Sequence, residues 1–239
     1  MKLIRNALAF LPALLLMANV SSPVTGNKIT FKKVIVDLPK LSTISACYTE
    51  WNLTAAGLSQ DAFSEAVKGY NYLAEKKLLN NTSVLTIIDY SKPSSQKRLY
   101  VLDMNNGKIL FNTLVAHGRN SGLEYATAFS NQQESHKTSL GFFITLNTYN
   151  GGNGYSLKLK GCEKGINDKA LERAIVMHGA DYADENFIQH NGYLGRSYGC
   201  PAVPEKINKE LINTIKNGSC MFLYHSTKKY TTVSKILNS

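Results

Sequence analysis

No stretch of this 239-residue chain is long and apolar enough to cross a bilayer, which takes about 20 apolar residues. The nearest candidate, residues 7–18, is too short. Lys2 and Arg5 precede it, and Asn19, Ser21, Ser22, Pro23, Thr25 and Gly26 follow. That layout reads as a secretory signal over residues 1–22, not as an anchor. No cysteine stands just behind the run, which argues against a lipid-anchored form.

Cysteine is scarce: Cys47, Cys162, Cys200 and Cys220 are too few for a disulfide-dense scaffold in a chain of this length, and sequence does not choose among their pairings. There is no C-x-x-C pair, and the histidines lack the i, i+4 helical spacing of zincins, so a metal site is discounted. G-x-S-x-G is absent, which sets aside the serine-hydrolase elbow. Acidic residues are outnumbered, 17 against 27 basic ones, for a formal charge of +10. The basic residues are scattered, and no nucleic-acid-binding motif accompanies them; a solvated surface with some attraction for anionic polymers is the reading. Neither an internal repeat nor a low-complexity tract is present.

Residues 27–57 carry few periodic signals and read as a weakly structured extension, with 23–56 as an N-terminal segment before one domain over 57–239. A helix is expected next. Ser59 is a plausible N-cap and Asp61 suits the first turn, while Phe63, Ala66, Val67, Tyr70 and Leu73 recur at helical spacing. The character then changes to strands at 84–90, 98–104 and 109–116, with Asn105-Asn106-Gly107 as a hairpin turn. Further strands are expected at 141–146, 155–159 and 174–177, with 150–154 as a loop. A short helix at 208–216 and a last strand at 220–224 close the domain. The pattern is a β-meander without βαβ alternation. The fold class expected is mainly β (α+β), a mixed sandwich or barrel-like sheet with a few short helices.

Cys200 stands apart from the other cysteines. It sits in Gly195-Arg196-Ser197-Tyr198-Gly199-Cys200, a Gly-rich segment that can turn backbone N–H groups inward. A connection of about twenty residues leads to it from His178-Gly179, longer than a compact domain needs and hence a functional candidate. Thiol chemistry requires a base, because a free cysteine titrates near 8.5. His178, at the end of an apolar strand, is the first choice, followed by His117 in Ala116-His117-Gly118-Arg119. His190 in the long connection, His225 after the last strand and His136 in a polar loop rank lower.

On these residues the chain resembles the L,D-transpeptidase catalytic-domain family, the YkuD-like cysteine transpeptidases of bacterial cell walls, and within it a divergent murein branch. The resemblance runs over roughly 55–225. It includes VAHGRNSG at 115–122, TSLGFF at 138–143, YSLKLKG at 155–161, IVMHGADY at 175–182 and GRSYGCPAVP at 195–204. It implies Cys200 as nucleophile, His178 as general base and the Gly179 carbonyl as the group orienting the imidazole. Ser197, Tyr198 and Gly199 would build the oxyanion loop, with backbone N–H groups of Tyr198, Gly199 and Cys200 as donors. Tyr198 replaces the commoner histidine, and Pro201-Ala202-Val203 replaces Ile-Arg-Met. The missing arginine leaves substrate contacts to Arg196 or Arg119, with His117 nearby. The activity implied is thioester-mediated 3→3 cross-linking of peptidoglycan stem peptides, with no metal and no cofactor, by an exported monomer in the periplasm or at the wall. Hydrolysis at the same site, as an L,D-carboxypeptidase or endopeptidase, and a non-catalytic basic wall-binding module are the rival readings.

Overall fold

The structure, a computed structural model, describes residues 41–239. The signal at 1–22 and the extension up to residue 40 lie outside them. From residue 41 the expected weak structure gives way to a helix, α1 (Leu41–Glu50). It packs against α2 (Gln60–Glu75), and Ile44, Leu53 and Leu58 are buried in the same core. Its few apolar residues are enough because a second helix covers them, so no long amphipathic stripe marks it in the sequence.

α2 forms as its pattern predicts. Ser59 accepts from the Ala62 N–H, and Asp61 lies in the first turn. Phe63, Ala66, Val67, Tyr70 and Leu73 are all buried against the sheet. Burial of each large side chain among them is worth about 2 kcal/mol.

Eight strands build the sheet: β1 (Val84–Asp89), β2 (Leu99–Asp103), β3 (Lys108–Thr113), β4 (Gly141–Gly151), β5 (Gly154–Gly161), β6 (Val176–Ala180), β7 (Ala202–Pro204) and β8 (Cys220–Tyr224). Their order is β3-β2-β1-β8-β4-β5-β6-β7. Two antiparallel meanders, β1 to β3 and β4 to β6, are joined by β8, which runs parallel to β1 and antiparallel to β4. The parallel pairs β1–β8 and β6–β7 are additions to the expected meander. The chain beyond β3 reaches β7 through a bridge from Ala116 to Ala202, which brings the two edges together into a nearly closed barrel.

β1 is buried on both faces. Leu85 and Ile87 face the α1 and α2 side; Val84 and Ile88 face the interior with Leu211, Ile212 and Ile215 of α4 (Glu205–Ile215). A two-sided core explains its near-continuous apolar run. The Asn105-Asn106-Gly107 turn forms, with Gly107 at φ 64° and Asp103 accepting from the backbone of Asn105 and Asn106. The 150–154 segment is not a loop but the tip of a long hairpin in which Gly151 pairs with Gly154. The connection from His178 to Cys200 holds a 3-10 turn (Asp181–Ala183) and α3 (Glu185–Asn191), capped by Asp184 and by Gly192 at φ 83°. After β8 a last helix, α5 (Lys228–Val233), is pinned from below by the buried Glu163 carboxylate, which accepts from Tyr230 at 2.9 Å and from Ser234. Among the described residues no helix is long and apolar enough to cross a membrane, and all four cysteines are free thiols.

Gly69 of α2 marks the tightest contact between helix and sheet. A β-carbon there would come within 2.0 Å of the Phe142 ring, which is itself stacked on Phe222 at 4.2 Å. Gly69→Ala is therefore expected to lower stability by about 2 kcal/mol in urea unfolding, despite alanine's better helix propensity. A neutral result would mean that the Phe142 ring has room to retreat.

Candidate active site

The parallel pair β6–β7 sets the site. His178 pairs with Ala202 across it, and the His178 N–H donates to the Pro201 carbonyl at 3.4 Å. Cys200 stands two residues before Ala202 of β7, and its Sγ lies 3.4 Å from the Val176 N–H and 3.8 Å from the Ala174 carbonyl. The base candidate thus lies in β6, and the nucleophile candidate leads into the strand paired with it, its Sγ reaching the start of β6.

His178 is buried, and its Nδ1 lies 2.9 Å from the Gly179 carbonyl. A carbonyl only accepts, so Nδ1 carries the proton and Nε2 of the neutral ring keeps its lone pair. That is the tautomer a general base needs. Burial pushes the Cys200 thiol up; the Val176 N–H and the Arg173 guanidinium oppose it.

The loop before Cys200 is braced internally. Ser197 Oγ donates to the Cys200 carbonyl at 2.6 Å and accepts from the Gly199 N–H at 3.1 Å. Gly199 sits at φ 121°, and a β-carbon there would meet the Lys137 carbonyl at 2.9 Å, so the position requires glycine. The loop is also stitched to the chain beyond β3: the Ser197 N–H donates to the His117 carbonyl at 3.0 Å, and the Arg119 N–H to the Ser197 carbonyl at 2.7 Å. The Gly199 N–H is thereby occupied, which removes it from the three expected oxyanion donors.

His117 does not line the surface. It is fully buried, with Nδ1 2.8 Å from the guanidinium of Arg98. Arginine only donates, so His117 accepts at Nδ1 and is neutral. Its expected contact with substrate is corrected: the ring braces the wall behind the loop. Arg98, also fully buried, donates twice to the Val115 carbonyl, at 3.1 and 2.9 Å, and once to that of Lys92 at 2.8 Å, while its guanidinium lies 4.9 Å from the Tyr90 ring centre.

Tyr198 points outward and is 65% exposed, between His136 at 4.6 Å and the Arg119 guanidinium at 5.6 Å. Arg119 and Arg196 border a cleft of about 310 Å³ with Phe187, Tyr193 and Tyr198. His190 is exposed on α3, bonded to its own helix at Asn186, and His225 lies against Phe129. Neither is tied into the Cys200 loop by a hydrogen bond. Sequence reasoning missed Arg98 and Arg173, because a lone arginine beside a strand carries no periodic or motif signal. Among the described residues, no three His, Cys, Asp or Glu side chains are placed to hold a metal ion.

Residues 54–224 match the family described as L,D-transpeptidase catalytic domain. No curated protein matches the chain. Solved structures similar to it include an L,D-transpeptidase from Mycobacterium smegmatis, at 13% identity and TM-score 0.37 over 59% of this chain and 58% of that one. L,D-transpeptidase 3 from Mycobacterium tuberculosis gives 12% and 0.38, over 59% and 61%. The helical cell shape determining protein Pgp2 from Campylobacter jejuni gives 13% and 0.40, over 72% and 62%. The chain spans under two thirds of the length of each.

Burial, reinforced by Arg98, holds His117 down at about 3, against an ordinary 6.5. A histidine depressed in the folded state contributes stability that is present above its unfolded value and lost as pH falls toward the folded one. Unfolding free energy is thus expected to drop by about 3 kcal/mol from this group between pH 7 and 4. His117→Asn, which retains an acceptor for Arg98 but does not titrate there, is expected to flatten that slope in denaturant titrations. An unchanged slope would assign the acid sensitivity to other groups.

Proposed function

The chain belongs to the L,D-transpeptidase catalytic-domain family, and from that premise we propose that it is a cysteine acyltransferase acting on peptidoglycan stem peptides. The observation that carries this reading is the fixed tautomer of His178, whose Nδ1 is committed to the Gly179 carbonyl on the strand beside Cys200. The free Nε2 takes the Cys200 proton. The thiolate attacks the carbonyl of the bond between an L-centre and a D-residue in a stem tetrapeptide. The oxyanion is received by the backbone N–H groups of Tyr198 and Cys200, since that of Gly199 is held by Ser197. His178 returns the proton to the departing D-alanine, and a thioester remains on Cys200. An amine of a second stem then attacks the thioester, releases the thiol and makes the 3→3 cross-link.

Arg119 and Arg196, at the cleft beside Tyr198, are the cations placed to meet stem carboxylates. The net positive charge favours residence near an anionic wall, in keeping with an exported, periplasmic or wall-associated monomer.

Purified protein incubated with tetrapeptide muropeptides is expected to yield cross-linked dimers. Tripeptide alone would turn the reading to hydrolysis. Cys200→Ser and His178→Ala are each expected to cut turnover by about a thousandfold or more while the fold persists. His190→Ala is expected to stay near wild type. Cys200 should gain the mass of a carbapenem; an unmodified thiol together with wall binding unchanged in Cys200→Ala would favour a non-catalytic module.

A further inference from the structure

The turn that leads into β6 contains a cation with no place in the mechanism above. Arg173 reaches across to the 130–139 segment and is gripped there by four acceptors. Nη1 donates to the Ser130 carbonyl at 2.8 Å and to Ser139 Oγ at 2.5 Å. Nη2 donates to the Lys137 carbonyl at 2.7 Å and to Ser135 Oγ at 3.3 Å. None of the four is a carboxylate, so the positive charge is oriented without being neutralised. The same guanidinium lies against the nucleophile loop: a β-carbon built on Gly199 would be 3.3 Å from Nη2.

The next residue, Ala174, adopts φ 53°, a left-handed conformation that costs an alanine about 1 kcal/mol. That bend turns the Ala174 carbonyl toward Cys200 Sγ and starts β6 so that the Val176 N–H also reaches the sulfur. A thiol can donate to the Ala174 carbonyl, whereas a thiolate is repelled by it and draws on the Val176 N–H and a nearby cation.

The geometry points to Arg173 as a positioning residue that stabilises the Cys200 thiolate by its charge, with the 130–139 segment as the clamp that holds that charge in place. The inference rests on Cys200 being the nucleophile. The electrostatics run the same way from both ends: Arg173 opposes the upward push of burial on Cys200, and Cys200 supports the charged form of Arg173. The other titratable groups that feel the charge of the sulfur are Tyr90 after β1 and Tyr182 in the 3-10 turn; His178 is the histidine of the neighbouring strand β6. Burial holds both phenols above their ordinary value, so they stay neutral across the working range.

The test is the rate of Cys200 alkylation by iodoacetamide as a function of pH, read by intact mass. It is run on the full chain with Arg173→Gln and Arg173→Lys, and with His178→Ala in parallel to separate the imidazole's share. In Arg173→Gln the midpoint is expected to rise by about one pH unit, the size of effect a nearby opposite charge produces. Arg173→Lys is expected to recover more than half of that rise. A folded Arg173→Gln with an unmoved midpoint overturns the inference, as does an Arg173→Lys midpoint equal to that of Arg173→Gln. If Arg173→Gln does not fold, Ser135→Asp sets a carboxylate against the guanidinium and leaves the arginine in place; its midpoint should rise, and no rise again overturns the inference. If Cys200 of the wild type is inert at every pH, it is the nucleophile assignment that fails.

Discussion

Ala202 is the residue on which the site is assembled. It is paired on one side with His178 of β6 and on the other with Ala116, beyond the end of β3. The first pairing sets the strand of His178 beside the one that Cys200 leads into; the second joins the two edges of the sheet. Both are backbone contacts, so their geometry depends on how the strands are held and not on side-chain flexibility. The chain around Ala202 is correspondingly small: Ala116, Ala180, Ala183 and Ala202 pack with Leu114 and Leu194 in one cluster.

The Ala116 pairing needs support from behind, and buried charge supplies it. Arg98 has no solvent exposure, yet its guanidinium finds the carbonyls of Lys92 and Val115, the imidazole of His117 and the face of Tyr90. Burial draws it down only to about 10, so it remains a cation. Withdrawing such a charge from water is costly, and the cost is offset only when the donors are satisfied. Loss of Arg98 would orphan the acceptors it serves, at about 1–3 kcal/mol for each buried group. Arg173 is only half-buried, and its donors too are satisfied by carbonyls and hydroxyls. Each cation is held by carbonyls and neutral side chains.

The sequence made the helix at Gln60–Glu75 and the antiparallel strands legible, because each depends on local periodicity and a local cap or turn. The Ser59 cap, the Asn106-Gly107 turn and the apolar face of Leu211, Ile212 and Ile215 all form where they were expected. The parallel pairings of β8 with β1 and of β7 with β6 could not be read, since partners distant in sequence leave no mark on periodicity. The histidines divide in the same way. His178 was singled out as following a strand expected at 174–177; the strand instead runs Val176–Ala180, with His178 at its centre and its Nδ1 partner one residue away. His117 was expected at the end of a strand over 109–116; β3 ends at Thr113, and Arg98 from nineteen residues upstream makes the ring a buried acceptor.

The departures from the commoner family pattern fall where their side chains do structural or peripheral work. The Tyr198 ring is turned to solvent between His136 and Arg119, so a histidine or a tyrosine there leaves the backbone N–H in the same position. The Pro201 carbonyl receives the His178 N–H, and Val203 is buried in the interior core. At Ala202 an arginine would have to enter the fully buried alanine cluster, where neither its volume nor its charge is accommodated. The tight closure between Ala116 and Ala202 and a substrate-facing arginine at position 202 are therefore mutually exclusive in this chain. Under the proposed function, binding of an anionic stem must move to cations that the closure leaves free. Arg119 and Arg196 meet that condition, because both lie on the solvent side of the same strand junction, at the cleft where Tyr198 opens.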